Sequence, residues 1–271
     1  MIFSSTTIAL VPEIKKGPWI YWEDLELGIC KSANLGFDGI ELFTPSADAL
    51  DPDFLKEKLD LHQLKLSAVG TGAGKVIHGL TLTDPDPEIR KKAIAFISEM
   101  ISFGAKFGAP AIIGSMQGNV MPNGNREETL GWLKEGLEEL GEVAKSKGVF
   151  LIYEPLNRYE SNLLNTLEAG SEFLETLNTK NVKLLADLFH MNIEEVDLPK
   201  SILANGKHIG HVHLADSHRG PMGSGHTDFG PIAEALKSID YSGFVSAEAF
   251  PWPNSDAAAN QTIQTFNTYF K

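Results

Sequence analysis

Short apolar runs rich in β-branched residues recur along the chain, and the longer stretches between them return an apolar residue every three or four positions. The runs read as strands: "STTIALV" (5–11), "DGIELF" (38–43), "LKLSAVG" (64–70), "PAIIGS" (110–115), "VFLIYE" (149–154), "VKLLAD" (182–187), "HIGHVHL" (208–214) and "GFVSAE" (243–248). Between them, "DPEIRKKAIAFISEMISFGAKFG" and "NREETLGWLKEGLEELGEVAKSKG" read as amphipathic helices bounded by Pro, Asn or Gly, and a final helix spans roughly Asp256 to Tyr269. Eight strands alternating with eight helical segments, with no linker or composition break, predict a (β/α)8 barrel of the TIM class filling residues 1–271 as a single domain. A doubly wound open sheet is the alternative. Such sheets commonly carry a Gly-rich phosphate loop after the first strand, and "VPEIKKGPW" holds one glycine.

In a barrel, chemistry gathers at the C-terminal ends of the strands. Glu154 ends the fifth strand, Asp187 the sixth and Glu248 the eighth, while His211 and His213 lie in the seventh. Taken alone, an acid after an apolar run is commonly a helix N-cap or a solvated loop residue. Taken together, three carboxylates aimed at one mouth would raise one another's pKa and destabilise the fold unless a cation offset the repulsion. Three carboxylates and an imidazole form an oxygen-rich set that suits Mn²⁺, Mg²⁺ or Co²⁺, with Zn²⁺ also possible. His211 and His213 are two apart and face the same way, with His213 nearer the mouth. His213 is therefore the ligand candidate, and His211 takes a supporting or core role behind it. The following loops place Glu160 six residues after Glu154, His190 three after Asp187 and Arg219 six after His213, either to hold substrate oxygens or simply as solvated loop residues.

Composition narrows the partners. With 23 basic against 36 acidic residues, the net charge of −13 repels a nucleic-acid backbone. The N-terminal stretch lacks a basic region and its apolar run is too short for a signal peptide or a membrane span, which predicts a cytoplasmic protein without a membrane anchor. The single cysteine, Cys30, excludes a disulfide framework and reads as a small buried side chain. "GTGAGK" (70–75) lacks the spacing of a Walker loop and reads as a flexible loop above the active site, with no helix directly after it. Trp19, Phe43 and Trp252 are candidates for the apolar wall of that site or its lid, though aromatics near strand ends are often core; "FPWPN" (250–254) could equally form a dimer contact.

The segments "EPLNRYE" with "LLNT", "ADLFHMNIEE", "HVHLADSHR" and "YSGFVSAE" together resemble the xylose isomerase-like barrel superfamily, and more narrowly its ketose 3-epimerases, the D-tagatose 3-epimerase and D-psicose 3-epimerase group. The likeness is close over 149–250 and looser over "DGIELF" and "LTDPDPEIRKKA". It implies that Glu154, Asp187, His213 and Glu248 bind one Mn²⁺ or similar ion, that Glu154 and Glu248 are the paired acid/base residues, and that Glu160, His190 and Arg219 hold the O1 and O2 end of a ketose. A small-molecule sugar partner and a homo-oligomer, dimer or tetramer, are expected. The stretch "GSGHTDF" (223–229) departs from the plain 3-epimerases and looks more like relatives acting on sugar phosphates or keto-sugar acids, which leaves the substrate open.

The implied chemistry is coherent. Inverting the carbon beside a ketone requires removing a proton from one face and returning one to the other, so two acid/base groups must flank it. A cation chelated by the carbonyl and neighbouring hydroxyl would stabilise the enediolate. An aldose–ketose isomerase of the hydroxypyruvate isomerase type shares these residues but needs proton transfer on one face only. A three-metal repair nuclease needs extra histidines at early strand ends, where the chain has Gly70-Thr71 and Gly114-Ser115. A non-catalytic sugar-binding barrel has no need of both glutamates.

Overall fold

The computed structural model describes residues 1–271. Nine strands, β1 (Phe3–Ala9), β2 (Tyr21–Trp22), β3 (Gly39–Phe43), β4 (Lys65–Gly70), β5 (Ala111–Ile113), β6 (Leu151–Tyr153), β7 (Val182–Asp187), β8 (Ile209–Leu214) and β9 (Phe244–Ala247), form one parallel sheet. Pairing of β1 with both β3 and β9 closes eight of them into a barrel. The ninth, β2, falls in a segment the apolar pattern leaves as loop. It pairs with Ile8 and Ala9 of β1, beyond the Phe3–Thr6 stretch that pairs with β9.

Eight helices form the outer ring: Leu25–Leu35, Pro52–His62, Pro87–Ala105, Arg126–Ser146, Leu167–Glu175, Leu198–Asn205, Phe229–Ser238 and Ser255–Phe270. Each starts at a side chain that accepts a hydrogen bond from its first turn, in order Asp24, Asp51, Asp86, Asn125, Thr166, Asp197, Asp228 and Asn254. Such caps contribute about 1 kcal/mol apiece and fix where each connection ends. Two short helices add to the expected eight, Ala73–His78 after β4 and Leu188–Glu194 after β7. The first corrects the reading of "GTGAGK", because a helix begins inside it. Gly74 permits this, since a Cβ there would lie 2.6 Å from the Met116 sulfur. Cys30 is also corrected: it is half-buried on its helix rather than enclosed.

Alternation along the strands sorts side chains between the helix layer and the barrel interior. Val69, Ala111, Ile113, Leu151, Tyr153, Leu184, Val212 and Leu214 join the large core shared with the helices. Residues of the other parity face inward, and they divide the interior into two halves. Ala68, Ile112, Ile152 and Leu185 form a separate apolar cluster across β4 to β7. Buried polar residues, Glu41 of β3, His211 and His213 of β8 and Ser246 of β9, fill the opposite side. No helix is long and apolar enough to cross a membrane.

Candidate functional site

The polar half of the interior opens into a cavity of 340 Å³ at the C-terminal ends of the strands. Glu154, Glu160, His190, His213, Arg219 and Glu248 line it, and Asp187, 1% exposed, lies against His213 behind that lining. The barrel thus brings together all seven residues expected at the ligand and substrate positions.

Glu154 and Glu248 each stand one residue beyond their strands, where the backbone leaves the barrel. Asp187, the last residue of β7, serves two purposes with two oxygens. Its Oδ1 accepts from the N–H groups of Phe189 and His190 at 2.8 and 2.9 Å and starts the short helix, while Oδ2 faces His213 Nδ1 at 3.3 Å. The residue is thus a helix cap through Oδ1, and its Oδ2 stays turned toward the other ligand candidates. His213 Nδ1 also lies 3.7 Å from Glu154 Oε1 and 3.5 Å from Glu248 Oε2. One ligand atom from each of these four buried residues falls within 4.8 Å of the others.

Burial first, then Glu248 and Asp187, push the Glu154 carboxyl well above its ordinary pKa, with His213 and Arg219 opposing. Burial also works against ionisation of Asp187, but His190 and His213 hold its pKa below the usual carboxylate range. For His213, burial disfavours the charge, yet Glu41, Glu248 and Asp187 together raise its pKa well above 6.5. The cluster therefore retains protons that a divalent cation would displace. The residues fit such an ion: Glu154 Oε1 is buried without a hydrogen-bond partner, and converging carboxylates with one imidazole supply hard donors at close range.

Around this cluster the substrate candidates are oriented by their neighbours. The Asn157 backbone N–H donates to His190 Nδ1 at 3.3 Å, and its side-chain amide lies 2.7 Å from the same nitrogen. A backbone N–H can only donate, so Nδ1 accepts and the ring proton sits on Nε2. That Nε2 is buried, has no partner and lies 3.8 Å from Glu154 Oε1, which makes it a free donor toward the cavity. Arg219 donates to Glu160 Oε1 at 3.0 Å and to Glu248 Oε2 at 3.2 Å, with its guanidinium 4.8 Å from the Phe189 ring centre. Trp19 and Phe43, with ring centres 5.0 Å apart, line the apolar side with Val11, Ile14 and Leu156. Trp252 does not: it is 49% exposed, outside the cavity, and stacks on Phe250 at 4.8 Å.

His211 lies one inward position deeper, as its spacing predicts, at 2% exposure. The strand pattern gave no role to Glu41, Asn157 or Gly114. Glu41 is fully buried and lies 2.6 Å from His211 Nε2 and 3.0 Å from His213 Nε2. Its one sequence signal is a lone acid in the middle of an apolar strand, "DGIELF". Gly114 leaves room for an acid, since a Cβ there would lie 2.4 Å from Glu154 Oε2.

Comparison with known proteins is consistent with this geometry. The family model described as xylose isomerase-like TIM barrel matches residues 30–269. The D-psicose 3-epimerase of Ruminiclostridium cellulolyticum is 32% identical over 250 residues, covering 86% of this chain and 82% of the relative. An L-ribulose 3-epimerase of Methylomonas sp. is 31% identical over 239 residues, covering 87% and 82%. Among solved structures, an L-ribulose 3-epimerase superposes with a TM-score of 0.84 at 25% identity, covering 100% of this chain and 95% of that one.

Proposed function

The chain belongs to the xylose isomerase-like TIM barrel family, and on that premise we propose that it is a divalent-metal-dependent epimerase that inverts C3, beside the carbonyl, of a ketose or keto-sugar acid. The observation that carries this reading is the convergence of Glu154, Asp187, His213 and Glu248 on one buried point beneath a cavity of 340 Å³. These four would hold the ion, with Mn²⁺ the best fit to the donor set and Mg²⁺, Co²⁺ or Zn²⁺ as substitutes. When bound, the ion supplies positive charge that favours the enediolate form of the substrate.

Glu154 and Glu248 are the acid/base pair. They follow β6 and β9, with β7 and β8 between them in the barrel, so a carbon held between them can lose a proton to one carboxylate and regain one from the other. Glu248 is hydrogen-bonded to Arg219, whereas Glu154 turns its bare Oε1 toward the other ligand candidates, leaving its second oxygen to carry the proton. His190 donates Nε2–H to a substrate oxygen, and Arg219 with Glu160 fixes the O1 and O2 end. Trp19 and Phe43 cover the apolar side of the sugar and exclude water. Residues 1–271 act as one barrel domain, in the cytoplasm, as a dimer or tetramer.

The test is turnover of a panel of ketohexoses, ketopentoses and keto-sugar acids by the Mn²⁺-loaded protein, with products resolved by chromatography. A C3 epimer that disappears when a chelator strips the metal is expected. Formation of an aldose instead would assign the site to an aldose–ketose isomerase, and chelator-resistant turnover would exclude the metal.

A further inference from the structure

We propose that Glu41 is a positioning residue for His213, holding its Nε2–H so that Nδ1 is left bare toward Glu154, Asp187 and Glu248. The proposal rests on the metal-binding reading of those four residues and adds to it a fixed tautomer, a source for that tautomer and a role for His211.

The geometry is specific. Glu41 Oε1 lies 3.0 Å from His213 Nε2, and Oε2 lies 2.6 Å from His211 Nε2. A carboxylate has only acceptor sites, so both histidines must present Nε2–H to it. For His213 this fixes Nε2 as the nitrogen that keeps its proton and leaves Nδ1, the one facing the three other candidate ligands at 3.3 to 3.7 Å, as the nitrogen an ion would take. Ionised Glu41 also increases the electron density of the imidazole it holds, which strengthens the opposite nitrogen as a donor.

Burial makes the role difficult to explain otherwise. Glu41 has no exposed surface, and a buried carboxylate is retained at a large desolvation cost unless it is fully paired. Its neighbours in register, Thr7 on β1 and Ala68 on β4, donate no hydrogen bond to it, the Thr7 hydroxyl being spent on the Ala247 carbonyl. Only the two histidines donate to it, from positions 170 and 172 residues away in sequence. His211 anchors the second oxygen and so keeps the carboxylate from rotating away from His213. Glu41, His211 and His213 also satisfy metal-ligand spacing among themselves. Their facing atoms are already matched in hydrogen bonds, so the trio is better read as a support for the first cluster than as a second metal site.

Mn²⁺ titration calorimetry of wild type, Glu41→Gln and His211→Gln, with thermal melts as a check on folding, tests the proposal together with ring-nitrogen NMR of the Mg²⁺-loaded wild type. Glutamine offers one acceptor and one donor in place of two acceptors, so Glu41→Gln is expected to weaken Mn²⁺ binding about 10- to 100-fold, and His211→Gln less. The wild-type spectrum should show His213 protonated on Nε2 and bare on Nδ1. Equal Mn²⁺ affinity in wild type and folded Glu41→Gln would overturn the proposal. So would a His213 proton on Nδ1 in the loaded wild type, a result that does not depend on any variant folding. A wild type that takes up no Mn²⁺ would overturn the metal reading itself, which separates the two failures.

Discussion

At the scale of single residues, the site is defined by which atoms are left without partners. Glu154 Oε1 and His190 Nε2 are both buried and unpaired on side chains that line the cavity, and Asn157 fixes the His190 ring from its other nitrogen. Replacing Glu154 or Glu248 by Gln removes a proton-transfer group, and kcat should fall about 10²- to 10⁴-fold in steady-state assays. Asn157→Ala removes the side-chain amide from Nδ1 of His190 but keeps the backbone N–H that fixes its tautomer, so the ring loosens and KM for the sugar should rise more than kcat falls. The protonation of the cluster sets a pH dependence with a definite sign. In the metal-free protein, Glu154 and His213 keep protons above their ordinary pKa values of 4.5 and 6.5. The ion must displace those protons, so its apparent affinity should increase as pH rises from 6 toward 8, by up to about tenfold per unit for each proton released. Calorimetry in buffers of different ionisation enthalpy counts the protons, and an affinity independent of pH would contradict the assignment.

At the scale of elements, two loops decide how these residues meet. After β8 the chain folds around Asp216, whose carboxylate accepts from the N–H groups of Ser217, Gly223 and Thr227 at 2.7, 2.9 and 3.1 Å. This holds the turn that presents Arg219 in a left-handed backbone conformation, φ 62°. Asp216→Asn keeps the shape but loses acceptor capacity, and it should raise KM while leaving Mn²⁺ affinity within about twofold of wild type. After β5, Gly114 gives Glu154 its room. Gly114→Ala places a methyl group against Oε2, and either Glu154 or the backbone must shift, so both metal affinity and kcat should drop. The strand ends were legible because each carries its ionisable group at the close of an apolar run, as in "VFLIYE" and "VKLLAD". Glu41 was not, because its meaning depends on two histidines on a strand that only closure of the barrel brings near it. The short helix within "GTGAGK" escaped for a related reason: its Gly74 fits against Met116, a contact invisible in the local pattern.

At the scale of the whole molecule, closure through the β1–β9 pairing turns four separate strand ends into one site, and the divided interior places the polar side directly beneath it. The fold class followed from the alternating pattern, whereas β2 and the two short helices at the mouth did not, because they serve the cavity rather than the repeat. A cation that neutralises buried carboxylates should also stabilise the fold. At 100 times its Kd it would contribute about 2.7 kcal/mol, a rise in Tm of roughly 5–10 °C on adding Mn²⁺ to chelator-treated protein. An unchanged Tm would argue against a preformed site. The most direct test of the central claim is the position of solvent deuterium after turnover in D₂O with the metal-loaded protein. Deuterium at C3 of the ketose, together with the inverted epimer, is the predicted result. Deuterium at C2 of a newly formed aldose, or at C1 of the ketose returned from it, or inversion with no label from solvent, would contradict it.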